Sequence, residues 1–434
     1  VSSKEKNMLD RRRFLALSTA GLGVGALAAC GSGGDSGSGG DGGTDVEVFT
    51  WWASGSEKAG LDALVKVFGE QHKDFTFVNG AVAGGAGSAA KDMLQSRLQA
   101  SDPPDTFQAH AGAELQDYID AAQIEDVSDL YDEYKLTDAF PEDLVDRLTV
   151  EGKIYSIPSN IHRSNVVWAN TEVLDKAGID AEKAPGSLDD FLADLEKAKG
   201  AGVTALSVGT TWCQVNLLEA ILMSELGSEK YNGLFDGKTS WDDAAVTSSL
   251  EAFQKMMGYT NSDRDSLDWP DATQQLIDGK AAYNVMGDWA EAAFQQAKLK
   301  DGEDYTYFPL PGKEKIFGFL ADSFTLPVGA PNADGAKAWL DTISSEEGQL
   351  AFNLAKGSIP ARTDVDETQF GTYSQTALKS FAEDAISPSI AHGAAVPVAW
   401  LNDLSDATSQ FTTGASDLAA YQKALVAAAD KYAS

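Results

Sequence analysis

Cysteine is nearly absent from this chain of 434 residues. Its two cysteines, Cys30 and Cys213, sit in unlike surroundings and at no metal-type spacing, which leaves no disulfide framework and no structural zinc site to read. Histidine is almost as scarce. The four present (His72, His110, His162 and His392) form no HExxH pair, so no metal is expected, and no motif asks for a cofactor. Basic side chains are outnumbered by acidic ones, 33 to 66, for a formal charge of −33. A field of that sign repels nucleic acid and anionic lipid, and it suits a neutral ligand better than an anionic one, although solubility alone accounts for much acidity in exported proteins. GxSxG is missing, which removes one serine-hydrolase signature. The run Gly84-Gly85-Ala86-Gly87-Ser88 lacks the lysine of a phosphate-binding loop and reads as a turn opening a helix.

What is present begins with an address. Arg11, Arg12 and Arg13 precede the stretch Leu15–Ala29, which is apolar or small throughout but too short to span a bilayer permanently. Asp10-Arg-Arg-Arg-Phe14-Leu15 resembles a twin-arginine export signal. Leu27-Ala28-Ala29-Cys30 resembles a lipobox, in which the cysteine is acylated and becomes the new N-terminus. Residues 1–29 are therefore expected to be a signal peptide and 30–44 a lipidated Cys30 followed by a Gly/Ser tether. Such a tether behaves as a flexible coil of about 20 Å average reach. The expected location is the outer face of the cell membrane, with the lipid as the only membrane attachment.

From Asp45 onward, strand-like and helix-like patterns alternate. Val46–Thr50 alternates apolar and polar residues, and Leu61, Leu64, Val65 and Phe68 then mark one face of a helix over Glu57–His72. A strand at Phe75–Val78, a helix at Ser88–Ala100, a strand at Thr106–Ala109 and a helix at Ala113–Ala122 follow. A second series starts after Asn160. It predicts strands at Val166–Asn170, Ala205–Val208, Ala282–Met286 and Phe319–Leu326. Its helices are Leu188–Lys199, Leu217–Leu226, Ala272–Asp278, Asp288–Lys298, Asp334–Ile343 and Leu418–Tyr432. With no fixed-period repeat, two α/β lobes on mainly parallel sheets are the economical architecture.

Ligands collect beyond the carboxyl ends of strands in open parallel sheets. Those ends carry Trp51 and Trp52, Gln108 and His110, Asp288 and Trp289; Trp212 follows another strand, and Asp322 interrupts an apolar one. Indole faces pack on the C–H faces of a pyranose, while carboxylates, amides and imidazoles satisfy its hydroxyls. Each residue alone has a plainer explanation: tryptophan as core, Asp288 as a helix cap, His110 as a structural histidine. Their recurrence at one kind of position is what points to a polyol site.

Several segments are similar to the extracellular solute-binding proteins of ABC sugar importers, the bacterial glucose/galactose-binding branch above all. They are Phe49-Thr-Trp51-Trp52, Pro103 to Gly112, Ile161-His-Arg-Ser-Asn165, Gly279 to Trp289, Asp322-Ser-Phe324, Lys356-Gly-Ser-Ile359 and Ala391-His-Gly393. The resemblance covers about residues 46–430 and implies the two-lobed type II periplasmic-binding-protein fold. It divides the chain into an N-terminal lobe (45–158 plus 318–357) and a C-terminal lobe (159–317 plus 358–434), with the ligand cleft between them. It implies sugar contacts from Trp51, Trp52, Glu57, Gln108, His110, Trp269, Trp289, Asp322, Lys356 and His392, with Trp212 and Asp288 as neighbours. The implied protein is a non-enzymatic monomer that takes a neutral monosaccharide, glucose or galactose, to ABC permease subunits. A glycoside hydrolase or a sugar sensor for a receptor are the alternatives left by the residues themselves, because 66 acidic residues always supply some carboxylate pair.

Overall fold

The computed structural model describes residues 43–83 and 88–433. The expected signal peptide, Cys30, all but the last two residues of the tether, and the glycines of the 84–87 turn lie outside the described residues. No helix among the described residues is long and apolar enough to cross a membrane.

In chain order the strands are β1 (Asp45–Phe49), β2 (Thr76–Asn79), β3 (Thr106–His110), the hairpin of β4 (Thr149–Val150) and β5 (Lys153–Ile154), β6 (Ile157–Pro158), β7 (His162–Arg163) and β8 (Val166–Asn170). Then come β9 (Thr204–Ser207), β10 (Ala281–Val285), β11 (Tyr305–Pro309), β12 (Ile316–Leu320), β13 (Asp322–Thr325) and β14 (Ala385–Pro388). They form a five-stranded sheet ordered β2-β1-β3-β13-β6, a four-stranded sheet β11-β8-β10-β9 and a three-stranded sheet β14-β12-β7. Helices cover these sheets. Helix Gly55–Gln71 buries Leu61, Leu64 and Phe68 as its periodicity predicts, with Val67 in place of the expected Val65, which is only partly buried, and helix Glu346–Lys356 packs beside it. The approach is close at Gly60, where a Cβ would stand 2.7 Å from the Phe352 ring and 3.2 Å from Lys356 Cβ.

The sheets are mixed rather than mainly parallel. β1, β2 and β3 are parallel, as are β9 with β10 and β12 with β14, but β13 runs against β3 and β6, β8 against β10 and β11, and β7 against β12. For β13 the reason lies in the connection at residues 320–322. Phe319–Leu326 was expected as one strand, and it is two strands in different sheets, β12 pairing Leu320 with His162 and β13 pairing Asp322 with His110. The chain enters β13 at the end where β3 leaves, so the two must run opposite ways. Other elements differ at their starts. The helix expected from Leu217 begins at Thr211, placing Trp212 in its first turn, and the helix expected at 288–298 opens as the 3-10 turn Asp288–Ala290 before Glu291–Gln296.

Candidate functional site

Five strands or strand ends and four helices aim side chains into one cavity. Trp51 follows β1, His110 ends β3 and Asp322 begins β13, so the five-stranded sheet presents all three at one end. Glu57 comes from the first turn of helix Gly55–Gln71. Lys356 is the last residue of helix Glu346–Lys356, which is closed by Gly357 in the left-handed region at φ 83°. Opposite them stand Trp212 at the start of helix Thr211–Leu226, Trp269 at the start of helix Trp269–Ile277, and Trp289 in the turn after β10. His162, Leu320 and His392 complete the lining, and the free space, mouth included, is about 320 Å³. All of the lining residues except Glu57 and Trp212 are at most 6% exposed, so the cavity is closed over by its own walls.

Trp289 is the centre of the aromatic wall. Its ring centroid lies 5.0 Å from His392, 5.2 Å from His162, 6.3 Å from Trp212 and 6.4 Å from Trp269, and Lys356 Nζ sits 5.9 Å from the ring. Trp51 lies 4.8 Å from His110 on the other side, with Lys91 Nζ 5.4 Å from its ring. The indoles thus supply apolar faces while their neighbours supply polar tips. Asp268 fastens this wall, accepting from Trp212 Nε1 at 3.2 Å and, as helix cap, from the Trp269 backbone at 2.8 Å.

Asp322 is the polar centre. Its Oδ1 accepts from Gln108 Nε2 at 2.8 Å and its Oδ2 from Asn160 Nδ2 at 2.9 Å; His110 Nε2 lies 3.7 Å from Oδ1 and His162 Nε2 3.5 Å from Oδ2. Burial pushes this carboxyl up, but the adjoining His162, together with Lys356 and His110, outweighs burial and holds it far below the usual carboxylate range. Glu57 behaves in the opposite way. Burial pushes it up to about 7, against the pull of Lys356, whose Nζ is 3.9 Å from Oε1. The cavity therefore holds one firm anion and one carboxyl that readily takes a proton. His162 is opposed by burial but raised by Asp288, which its Nδ1 bonds. His392 is held well below the ordinary imidazole range by burial, with His110 and Lys91 adding to it. No group of three or more His, Cys, Asp or Glu side chains suited to a metal ion occurs among the described residues.

Of the residues singled out in the sequence, Trp51, Glu57, His110, Trp212, Trp269, Trp289, Asp322, Lys356 and His392 line the cavity. Trp52 does not. It is fully buried in the hydrophobic core, 4.6 Å from Phe352 and 5.4 Å from Phe324 between ring centroids, because consecutive residues leave a strand on opposite sides. Gln108 and Asp288 also stand behind the wall rather than in it. Gln108 holds Asp322 and accepts from the Trp51 backbone at 3.3 Å, and Asp288 grips His162 and the Arg163 backbone, the latter at 2.9 Å. His162 is a lining residue that the sequence does not single out: it stands in the segment Ile161-His-Arg-Ser-Asn165, and nothing local says that this segment crosses between sheets.

The chain matches the family described as bacterial extracellular solute-binding protein over residues 52–350. An ABC transporter extracellular-binding protein of Pyrococcus horikoshii is 34% identical over 93% of both chains. A probable sugar-binding periplasmic protein of Mesorhizobium japonicum is 32% identical over 85% of this chain and 89% of its own. A xylose/arabinose-binding protein of Haloferax volcanii is 28% identical over 97% of both. Among solved structures, a chitin oligosaccharide binding protein superposes with a TM-score of 0.79 at 21% identity, over 90% of this chain and all of its own. A bacterial solute receptor with an exclusive preference for β-D-galactopyranose does so with a TM-score of 0.78 at 17% identity, over 91% and 100%.

Proposed function

The chain belongs to the bacterial extracellular solute-binding proteins, sugar-binding and non-enzymatic components of ABC transporters that work outside the cytoplasm; on that premise we propose that its cavity holds one neutral monosaccharide, D-glucose or D-galactose first among them. The observation that carries this is the convergence of four indoles with Asp322, Glu57, Lys356 and three histidines around about 320 Å³. The space left between these walls is tight, which favours a single ring over a chain of them. Both charge signs occur, so hydroxyls find acceptors at Asp322 and donors at Lys356 without a net demand for a charged ligand.

In this reading residues 45–158 with 321–357 form one lobe and residues 159–320 with 358–434 the other; the boundary expected at 318 moves to the change of sheets at Ala321, because β12 (Ile316–Leu320) pairs throughout with β7 and β14. Walls this well buried admit a ligand only when the lobes part. Sugar then favours the closed state by its greater affinity for it, and an ABC permease reads the closed surface. The protein works as a monomer tethered through a lipidated Cys30.

Calorimetry of the purified protein against glucose, galactose, mannose, xylose, arabinose and maltose tests the proposal. One-to-one saturable binding of glucose or galactose is expected, with no turnover of any disaccharide. A ligand at a thousand times its Kd adds roughly 4 kcal/mol of apparent stability, so thermal shifts give an independent reading. Binding of maltose but of no single-ring sugar would overturn the monosaccharide assignment. Loss of the lipid mass increment in Cys30→Ser tests the anchor.

A further inference from the structure

Two of the three cavity histidines are held directly by a buried acid at Nδ1. His110 Nδ1 lies 2.8 Å from Glu114 Oε2, and His162 Nδ1 bonds Asp288 Oδ1. His392 is different, because a hydroxyl stands between it and its acid. Its Nδ1 lies 2.7 Å from Ser389 Oγ, and that hydroxyl donates to Glu219, at 2.8 Å from Oε1 and 3.0 Å from Oε2. Glu219 is fully buried in helix Thr211–Leu226, two turns beyond Trp212, and the Ala391 backbone donates to its Oε2 at 2.9 Å.

A serine hydroxyl has one proton to give. When it is given to the Glu219 carboxylate, Oγ is left to accept from His392. The proton of the neutral imidazole then sits on Nδ1, and Nε2 turns a lone pair to the cavity. We propose that Glu219, acting through Ser389, fixes His392 as a hydrogen-bond acceptor, so that the site requires a donating sugar hydroxyl opposite it. This rests on the sugar-binding reading above, with Glu219 and Ser389 as positioning residues that need not touch the sugar.

Charge around the ring keeps the tautomer decisive. Burial, His110, Lys91 and His162 disfavour a proton on both nitrogens of His392, against the pull of Asp322; the Glu114 carboxylate packs against neighbouring Gly393, paired there with Lys91 and His110. The uncharged indoles of Trp212 and Trp289 also stand against the ring. Glu219 faces the Ser389 hydroxyl, the Ser164 hydroxyl and the backbone at 390–391, with the Tyr231 phenol nearby; burial pushes it up to about 7. Once Glu219 is protonated the chain reverses: its O–H donates to Ser389, Ser389 donates to Nδ1, and Nε2 becomes the donor.

Glu57 takes up a proton in the same pH range, so the tautomer is best read at the ring itself. Two-bond proton–nitrogen spectra of the sugar-free protein carrying ¹⁵N-histidine at pH 8.5 should show His392 protonated at Nδ1 and bare at Nε2. In Glu219→Gln the amide N–H donates to Ser389, and the signal should move to the Nε2-protonated form. Ser389→Ala, which removes one oxygen only, should give a mixture. Affinity for D-glucose and D-galactose should fall at least ten-fold in Glu219→Gln. A wild-type ring protonated at Nε2, or a wild-type tautomer persisting in both variants, overturns the proposal. A tautomer that shifts as stated in a protein that binds neither sugar supports the relay and sinks the choice of ligand instead.

Discussion

Asp322 and His110 face each other across the antiparallel β3–β13 pair, and their side chains come within 3.7 Å where that pair meets the cavity. One register thus delivers an anion and an imidazole to the same wall, and Gln108, two residues back on β3, braces the anion from behind. On the proposed function, Asp322 is the residue on which both stability and recognition turn.

Asp322→Asn should be costly in a pH-dependent way. The variant removes the charge that Asp322 sets beside His162 and Lys356, leaving His162 with Asp288 alone and Lys356 with Glu57 alone; removing one member of a buried ion cluster costs up to about 3–5 kcal/mol. The folded carboxyl is held below its unfolded value. Its contribution is therefore complete above the ordinary Asp range near 3.9 and is lost as pH falls below it. Urea unfolding at pH 7 and at pH 3.5 should show a smaller gap between variant and wild type at the lower pH.

Glu57→Gln should show the reverse trend. The acid is raised from an ordinary 4.5 to about 7, so between those values the folded protein holds a proton that the unfolded chain has released. Stability consequently declines as pH climbs through that window. The glutamine variant escapes the decline, and its stability relative to wild type should improve steadily from pH 4.5 to 7.5.

Trp289 and Trp52 should separate binding from folding. Removing Trp289 strips the centre of the aromatic wall, and Trp289→Ala should weaken sugar binding by more than about 1 kcal/mol, the range for aromatic contacts beyond area burial. Trp52→Ala opens a hole against Phe352 and Phe324 and should cost about 3–5 kcal/mol of stability. The conservative Trp52→Phe should retain sugar affinity within about two-fold, because no part of that ring lines the cavity. Equal affinity loss in Trp289→Ala and Trp52→Phe by calorimetry would contradict this division.

Gly60→Leu should transmit packing strain to the site. Its new side chain meets the Phe352 ring and Lys356 Cβ, and overpacking of this kind costs typically about 1–3 kcal/mol. Lys356 ends the displaced helix, so a fall in sugar affinity should accompany the lower urea midpoint.

Much of the fold was legible because burial imposes period. Val166–Asn170 is wholly buried and Leu418–Tyr432 shows a helical stripe, and both occur with the predicted bounds. Very short segments carry no legible pattern, and three helices absent from the sequence reading do carry one, such as the stripe Trp400, Leu404, Ala407 and Phe411. Helices Ala244–Met257, Glu346–Lys356 and Val398–Thr412 were passed over, and β7, only two residues long, has no pattern to detect. In the site, aromatics and polar groups at strand ends could be recognised by residue type. Lys356 and His392 came from resemblance alone, since a helix terminus and a loop far along the chain carry no local sign of a shared cavity.

By itself the sequence determined the alternation of strands and helices, the acidic surface and the kind of chemistry available: indoles, carboxylates and few histidines, without a nucleophile motif. Those follow from residue type and spacing, which are local. Only the tertiary structure decided that Trp51 faces the cavity while Trp52 fills the core, that the chain changes sheets at Ala321, and that Glu219 stands behind His392 across 172 residues closed by Ala391. Register and helix placement are set by how the sheets pack against one another, and no single segment contains that information.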